Sequence, residues 1–266
     1  MAMRVATLEG TEVHIDDEAL EGLRATIRGA VLTPGDPGYD DVRPAFNAMH
    51  PGHPAIVIQA TGTADVIGAV NFARDQGLLM AIRGGGHSVA GLSSIDGGML
   101  LDLALMNGVD VEPDAKIVRA QGGALWADVD RETQAFGLVA PGGVVSDTGI
   151  AGLTLGGGEG WVRRKWGLSC DNLISAQIVA ADGNVLTASA DSNPDLFWAI
   201  RGGGGNFGVA TQFTFQLHPL GPEVAFAGVF YPAADMAKVF KGFRDWSKNA
   251  PDEISALVGC TTLPAS

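Results

Sequence analysis

Cysteine, tyrosine and basic residues are scarce in this chain of 266 residues. It has two cysteines and two tyrosines, and 17 Lys and Arg residues stand against 30 Asp and Glu residues, so the formal net charge is −13. A chain with this acidic excess lacks the basic face that a phosphate backbone requires, and we expect no nucleic-acid partner. Cys170 and Cys260 are too few for a disulfide framework, which excludes the small disulfide-bonded scaffolds.

Long apolar runs are also missing. No segment approaches the roughly 20 apolar residues of a membrane span, and the start of the chain has no apolar run of signal-peptide length. We therefore expect no membrane partner and a soluble, cytoplasmic protein. Because 46% of the residues are hydrophobic and 18% are charged, the chain has enough apolar side chains to fold around a core.

Hydrophobic periodicity predicts alternating helices and strands. A strand over 55–60, a helix over 63–77 and a strand over 78–83 form a small α/β unit, with Thr63 capping the helix and Gly77 ending it. Elsewhere the pattern predicts helices over 17–31, 125–137 and 192–202, strands over 98–106, 116–123 and 209–217, and a hairpin over 174–190. After a break at 218–223, the last segment is typical of a strand, a helix and a strand.

Glycine is abundant, with 38 residues, and the hexapeptide AIRGGG occurs twice. One copy, Ala81–Gly86, follows a strand, and the other, Ala199–Gly204, follows a helix. Both copies predict backbone N–H groups exposed in a tight curve, a nest that can hold a phosphate. The alternative is that each copy is an ordinary glycine turn. At Gly85 and Gly152 we expect a positive φ, or the bulk of a bound ligand, to require glycine.

The dinucleotide-binding motifs of other folds do not match these loops. GGGHSVAG has the wrong spacing for Gly-x-Gly-x-x-Gly and no amphipathic helix follows it, while GGGGNFG precedes a strand. The sequence also lacks a phosphate loop with Gly-Lys-Ser/Thr. A Rossmann-type nicotinamide enzyme is therefore excluded on spacing, although the supply of glycine still suggests a dinucleotide.

His87 follows the first glycine triplet and is one of five histidines. A lone histidine is often a hydrogen-bonded structural residue, but a neutral imidazole is also a nucleophile, and the glycines let a flat ring approach it. We favour the functional role. Cys170 is interpreted as a small buried residue, with a catalytic thiol as the alternative, and Glu159 and Arg163–Lys165 as a solvated turn. We assign no metal site.

Taken together, three stretches resemble a known family. IRGGGHSVAG, APGGVVSDTGIAGLTLGGGEGWVRRKWGLSCDNL and DLFWAIRGGGGNFGVATQFTF are similar to the FAD-linked oxidases with a PCMH-type FAD-binding domain. Within that group they resemble the berberine-bridge-enzyme-like branch, which includes sugar and oligosaccharide oxidases. The resemblance runs from about Ala55 to Leu220, in the order and at the spacing of the family.

The resemblance implies an α+β fold in which two α/β subdomains enclose FAD and an incomplete substrate domain follows. It divides the chain into an N-terminal helix and lead-in (1–50), the PCMH-type FAD-binding domain (51–221) and the start of a truncated substrate domain (222–266). His87 matches the histidine that bonds covalently to the 8α-methyl group of the flavin. Some members add a second bond from a cysteine, but Val145 stands at that position, so we expect a single attachment.

Further cofactor contacts are implied by the same resemblance. The amides from Gly84 to Ser88 would hold the pyrophosphate, 148–155 would run beside the ribityl chain and isoalloxazine ring, and the loop closing into Gly208 would touch the adenine end or the flavin edge. Arg83 would either steady the diphosphate or form an outward salt bridge. The candidate cofactor-binding residues are Arg83, Gly84, Gly85, Gly86, His87, Ser88, Thr148, Gly149, Gly152, Leu155, Gly208 and Val209.

The activity implied is FAD-dependent oxidation. A small alcohol, sugar or amine would give a hydride to the flavin, and dioxygen would reoxidise it. No residue in the first 220 is a convincing catalytic base, and none is assigned. The alternative is a non-catalytic flavin-binding module or an inactive truncated remnant, since most of the substrate domain is missing from this chain. We expect the 266-residue chain alone to be a poor enzyme, and its oligomeric state stays open.

Overall fold

A computed structural model describes residues 3–261 as an α+β protein built on two larger sheets. The strands are β1 (Met3–Ala6), β2 (Glu12–Ile15), β3 (Ala30–Leu32), β4 (Ile56–Gln59), β5 (Met80–Arg83), β6 (Met99–Asp102), β7 (Val109–Glu112), β8 (Ile117–Gln121), β9 (Leu138–Val139), β10 (Leu173–Val179), β11 (Val185–Ser189), β12 (Val209–Gln216) and β13 (His218–Pro219). The helices are α1 (Asp17–Thr26), α2 (Tyr39–Val42), α3 (Thr63–Gln76), α4 (Trp126–Gln134), α5 (Ile150–Leu155), α6 (Arg163–Trp166), α7 (Pro194–Ala199) and α8 (Met236–Ser247). The predicted fold class of two α/β subdomains is confirmed.

The first subdomain is a four-stranded sheet in the order β3-β4-β6-β5. Strand β6 runs parallel to both β4 and β5, and β3 is antiparallel to β4. Ile56, Val57 and Ile58 on β4 are all fully buried, because parallel strands covered on both faces carry continuous apolar runs. Helices α1 and α3 contribute Leu23 and Val66 to the core beside this sheet.

Helix α3 follows the predicted pattern closely. Val66, Ala69, Val70 and Ala73 are buried on its inner face, and Gly77 ends it in a left-handed conformation with φ of 66°. The predicted cap is wrong, because Thr63 is the first helical residue and the capping position belongs to Gly62, which has no side chain to accept a hydrogen bond. The Thr63 hydroxyl donates to Gln177 Oε1 at 3.1 Å instead.

The second subdomain is a five-stranded antiparallel sheet in the order β11-β10-β12-β8-β7. The predicted hairpin is confirmed as β10 and β11, joined by a turn in which Gly183 has a φ of 84°. Phe213 and Phe215 on β12 stack with ring centroids 5.9 Å apart and are fully buried. Trp126 at the start of α4 is also buried, and together these aromatic rings form the centre of the second core.

The two subdomains share a polar and an apolar junction. Gln177 on β10 accepts hydrogen bonds through Oε1 from Thr63 of α3 and from Thr211 of β12, the latter at 2.8 Å. Val179 and Val209, which lie on the second sheet, are buried in the first core. Strand ends of the second sheet thus complete the core of the first, and the first glycine loop meets the second subdomain at Gly149 and Gly122.

Several elements were missed by the periodicity. Strands β1 and β2 pair as an antiparallel hairpin at the start of the described chain, and β7 pairs with β8. The glycine-rich stretch 148–167, in which the periodicity predicts no helix, contains α5 and α6. Strands of four residues and single-turn helices are too short to produce a reliable periodic signal.

The segment after residue 221 forms only one of the three predicted elements. Helix α8 is present, but no strand forms over 223–231 or 254–261, and residues 262–266 lie outside the described chain. Phe226 and Phe230 are 90% and 87% exposed. An apolar segment with high β-propensity becomes a strand only where another strand satisfies its backbone groups, and these residues have no such partner in the described chain.

Across the described chain, no helix is both long enough and apolar enough to span a bilayer.

Candidate functional site

The first glycine loop begins where β5 ends at Arg83. The five successive amides from Gly84 to Ser88 donate no hydrogen bond to any acceptor in residues 3–261. Gly86 has a φ of 75°, a conformation that glycine adopts without strain. The loop therefore presents a curve of free N–H dipoles, which is the arrangement that binds an anion.

The loop crosses the backbone of a second segment at Gly149. A Cβ atom added to Gly85 would lie 2.3 Å from the Gly149 nitrogen, and one added to Gly149 would lie 2.3 Å from the Gly85 nitrogen. Helix α4 fixes that segment, since the Trp126 amide donates to the Thr148 carbonyl at 3.0 Å and the Ile150 amide to the Ala124 carbonyl at 3.0 Å. Gly149, with Thr148 before it, is thus brought against the first glycine loop.

The positive φ expected as one reason for glycine at positions 85 and 152 is not observed. Neither Gly85 nor Gly152 has a positive φ. Gly85 is required by its crossing with Gly149, where no side chain fits. Gly152 is exposed on α5, and an added Cβ would have no atom within 4 Å. At Gly152 the fold alone gives no reason for glycine.

Arg83 forms a buried ion pair rather than the outward salt bridge that was one of its two interpretations. Its Nε lies 3.8 Å from Asp102 Oδ1, and the two side chains are 7% and 6% exposed. Nη1 donates to the Pro44 carbonyl at 2.6 Å. Nε and Nη2 are buried and have no hydrogen-bond acceptor in the described chain. A cation with unused donors therefore lies next to the first glycine loop.

Burial shifts the pKa of both partners in this pair. Desolvation lowers the pKa of Arg83, and the Asp102 charge opposes that shift. Desolvation raises the pKa of Asp102, and the Arg83 charge opposes it. The pair is held by mutual attraction against the cost of burying two charges.

His87 lies at the far end of the loop with its side chain 19% exposed. Its Nε2 is 3.3 Å from Asp147 Oδ1. The Phe46 ring stacks on the imidazole, with centroids 4.1 Å apart and planes 14° apart. Both neighbours were missed by sequence reasoning, because nothing in the spacing links residue 46 or residue 147 to residue 87.

The second copy of AIRGGG does not expose the same groups. The amides of Gly202 and Gly204 both donate to the Leu155 carbonyl, at 3.0 and 2.9 Å, and the Gly203 amide donates to the Ala199 carbonyl at 3.0 Å. The expectation of an open nest is therefore wrong for this copy. It is a glycine turn that satisfies the last carbonyl groups of α5 and α7.

Gly208 and Val209 lie at the junction of the subdomains. Gly208 has a φ of 132°, and an added Cβ would be 2.5 Å from the Val179 carbonyl oxygen. Val209 is buried and pairs with Val179. Gly122 lies between the first loop and β12: its carbonyl oxygen would be 3.1 Å from a Cβ added to Gly84, and its amide donates to the Thr211 carbonyl at 2.9 Å.

Cys170 is buried, as expected, and burial together with the Asp171 charge raises the pKa of its thiol, which keeps it protonated. The charged stretch near it is only partly a solvated turn. Arg163 pairs with Glu159 at 2.7 Å on the surface. Arg164, in contrast, donates to the Ala250 carbonyl at 2.8 Å, so α6 holds the chain that follows α8.

Comparison with known proteins adds independent findings. Residues 54–189 match the model of a family described as an FAD binding domain. The chain is 38% identical over 203 residues to (R)-6-hydroxynicotine oxidase of Paenarthrobacter nicotinovorans, which covers 76% of this chain and 44% of that protein.

Two solved structures share the fold. BBE-like 1 of Physcomitrella patens is 32% identical with a TM-score of 0.78, over 88% of this chain and 52% of that one. A chitooligosaccharide oxidase is 28% identical with a TM-score of 0.78, over 88% of this chain and 51% of that one. The chain thus spans about half the length of these relatives. It belongs to the FAD-binding domain family, on the branch that holds the berberine-bridge-enzyme-like and oligosaccharide oxidases.

Proposed function

We propose that this chain is the flavin-binding part of an FAD-dependent oxidase that takes a hydride from a small alcohol, sugar or amine and passes electrons to dioxygen. The observation that carries the proposal is the row of five free amides at Gly84–Ser88, which ends beside a histidine. The names of the relatives support the substrate classes, since one oxidises a hydroxynicotine and another a chitooligosaccharide.

The first loop fits the diphosphate of FAD. Free N–H groups provide the anion site, and Arg83 adds a buried positive charge with two unused donors. The crossing of Gly85 with Gly149 leaves the backbone bare, which permits a close approach. We propose that Thr148–Leu155 and Gly208–Val209 complete the binding surface, with Gly152 facing the cofactor because its exposed face has no protein neighbour.

His87 is the proposed covalent attachment point, and the only one. Its imidazole is partly exposed at the end of the loop, and a neutral imidazole is a nucleophile. The resemblance implies a second attaching cysteine in some members of the family, and Val145 stands at that position here, so we propose no second bond. When bound, FAD supplies the hydride and electron chemistry, while this chain supplies binding, orientation and charge.

We also propose a cytoplasmic location, supported by the two cysteines, both of which are free thiols. No catalytic base is assigned in this chain. Removal of a proton from the substrate hydroxyl or amine requires one, and Cys170 is unsuited because its thiol stays protonated.

Acid precipitation tests the attachment. Wild-type protein should keep its yellow colour in the pellet, and His87→Ala should release it to the supernatant. His53→Ala is the matched control, because His53 also lies near an aspartate but outside the glycine loop, and it should behave as wild type. Colour released from wild-type protein would contradict attachment through His87.

Anaerobic mixing with sugars, alcohols and amines tests the activity. Bleaching of the flavin by any of them supports the oxidase, and reoxidation by air should yield hydrogen peroxide. Protein that is yellow but is bleached by none of the panel, in this chain and in a longer chain carrying a complete substrate domain, would support the non-catalytic flavin module instead.

A further inference from the structure

The His87 imidazole has a neighbour on its edge and another on its face. Asp147 Oδ1 lies 3.3 Å from Nε2, and the Phe46 ring lies parallel to the imidazole at 4.1 Å. His87 is itself mostly covered, whereas the Asp147 side chain is 62% exposed and Phe46 is 70% exposed. Two exposed side chains thus border a mostly covered imidazole, one at its edge and one on its face.

Phe46 is held in this position by the loop. Its amide donates to the Gly86 carbonyl at 3.2 Å. Two residues earlier, the Pro44 carbonyl accepts from Arg83 Nη1 at 2.6 Å. The backbone before β4 is therefore tied to both ends of the glycine triplet, which places the Phe46 ring over the histidine.

We propose that Asp147 and Phe46 are positioning residues that hold the His87 ring in the tautomer and the plane needed for flavin attachment. The inference rests on the proposed function, in which His87 is the attachment residue. A carboxylate beside Nε2 favours the tautomer with a proton on Nε2, which leaves the lone pair on Nδ1. Phe46 restricts rotation of the ring about its own axis by covering one face.

Attachment of the flavin conserves atoms and electrons when the two residues act in this way. A bond forms between Nδ1 and the 8α-methyl carbon, while the imidazole N–H and one methyl C–H bond break. The two protons and two electrons released reduce the flavin, and dioxygen then takes them up as hydrogen peroxide. The imidazole is transiently positive as the new bond forms, and Asp147 stabilises that charge until the Nε2 proton leaves to solvent, from which the reduced flavin takes up its proton.

The chain offers a matched control for Asp147. His53 Nδ1 lies 3.4 Å from Asp96 Oδ1, and these side chains are 64% and 82% exposed. This second histidine–aspartate pair has nearly the same separation but no glycine loop beside it. Asp96→Ala therefore removes a comparable pair without touching the proposed site. Phe136, a ring that is 52% exposed, provides Phe136→Leu as the control for Phe46→Leu.

The experiment uses the full chain, produced without flavin, and follows acid-stable flavin over time after FAD is added. Asp147→Ala should slow attachment about 10- to 100-fold and Phe46→Leu about 10-fold, because small errors of orientation are costly in bond formation. Asp147→Asn, which keeps an acceptor but not the charge, should fall between Ala and wild type. Non-covalent FAD affinity, measured by fluorescence quenching, should change less than about twofold, which separates positioning from folding.

A spectroscopic readout tests the tautomer directly. In ¹⁵N spectra of the flavin-free chain at alkaline pH, the His87 proton should lie on Nε2 in wild type and be shared between both nitrogens in Asp147→Ala. If wild type attaches flavin and both Asp147→Ala and Phe46→Leu attach it at the wild-type rate, this inference is overturned while the proposed attachment stands. If wild type itself forms no acid-stable flavin, the proposed attachment fails and this inference fails with it.

Discussion

The hexapeptide AIRGGG adopts two different arrangements in one chain. In the first copy the arginine is buried against Asp102 and the glycine amides are free. In the second copy Arg201 is exposed over the Phe197 ring, at 4.6 Å from its centroid, and the amides are bonded to Leu155 and Ala199.

The difference comes from what precedes and surrounds each copy. Leu155 and Ala199 are the last residues of α5 and α7, and a helix ends with carbonyl groups that have no intrahelical donor. Glycine amides next to those helix ends donate hydrogen bonds to the unpaired carbonyl groups. The first copy leaves a strand rather than a helix: the Leu103 amide takes the Arg83 carbonyl at 2.9 Å, and the loop amides that follow find no acceptor in the described chain. An identical sequence thus becomes a hydrogen-bonded turn beside helix ends and a loop with free amides beside a strand end.

The largest difference in stability between the two copies should come from substituting their arginines. Arg83→Met leaves Asp102 buried without its partner, and losing one member of a buried pair costs about 3–5 kcal/mol of stability. Arg201→Met removes only an exposed contact with an aromatic ring, worth about 0.5–1 kcal/mol. Urea unfolding of the flavin-free chain measures both.

The double variant Arg83→Met/Asp102→Leu is the control for the arginine comparison. It should recover most of the stability lost in the single variant, because no buried charge remains. Equal losses in Arg83→Met and Arg201→Met would show that burial does not distinguish the two copies.

Alanine at the middle glycine of each triplet, Gly85 or Gly203, distinguishes an effect on folding from an effect on flavin binding. Alanine at Gly85 meets the Gly149 nitrogen at 2.3 Å, and alanine at Gly203 meets the Ala199 oxygen at 2.4 Å. Each should lower stability by about 1–3 kcal/mol, the usual cost of overpacking. Only Gly85→Ala should also abolish binding of FAD, measured by fluorescence quenching. Equal loss of FAD affinity in Gly203→Ala would mean that the second copy is a cofactor site as well.

The buried carboxylate gives the first copy a pH dependence that the second lacks. Burial raises the pKa of Asp102 from 3.8, so the folded chain binds this proton more tightly than the unfolded chain. The free energy of unfolding therefore falls as pH rises from 3.8 to the raised pKa, with a slope of at most about 1.4 kcal/mol per pH unit. Outside that interval Asp102 contributes no slope.

Asp102→Asn should remove this part of the pH dependence, while Arg201→Met should leave it intact. Denaturant unfolding over a pH series gives the difference between variant and wild type, which cancels the carboxylates whose pKa is lowered, such as Asp65. A variant with the wild-type slope would contradict the assignment.

The smallest effect is expected at two glycines with free space around them. Gly152 and Gly205 are exposed, and an added Cβ would touch nothing within 4 Å at either. Gly152→Ala should stabilise the flavin-free chain by about 0.5–1 kcal/mol, since alanine is favoured over glycine within a helix. It should nevertheless lower flavin content, whereas Gly205→Ala should not. Unchanged flavin content in Gly152→Ala would place α5 away from the cofactor.

The sequence predicts local features of the fold well. Helix α3 and the β10–β11 hairpin were found because their signals, apolar spacing and a tight turn, lie within a few residues. The strand expected near Phe230 does not form, because pairing depends on a partner elsewhere in the chain.

The candidate site divides in the same way. His87 and the glycine loop are local motifs, and they were found. Phe46, Asp147 and the capture of Gly202 and Gly204 by Leu155 arise from contacts between distant segments. No spacing rule records such contacts, which is why both copies of AIRGGG were expected to expose their amides, although one was placed after a strand and the other after a helix.

The crossing of Gly85 with Gly149, and the Gly122 link to Thr211, also set an order of events during synthesis. The loop leaves the ribosome early, but its supporting backbone is made later, and the strand that closes the second sheet comes later still. Contacts this distant in sequence form slowly. The row of amides at Gly84–Ser88 therefore reaches its final arrangement only after the chain through β12 has been made.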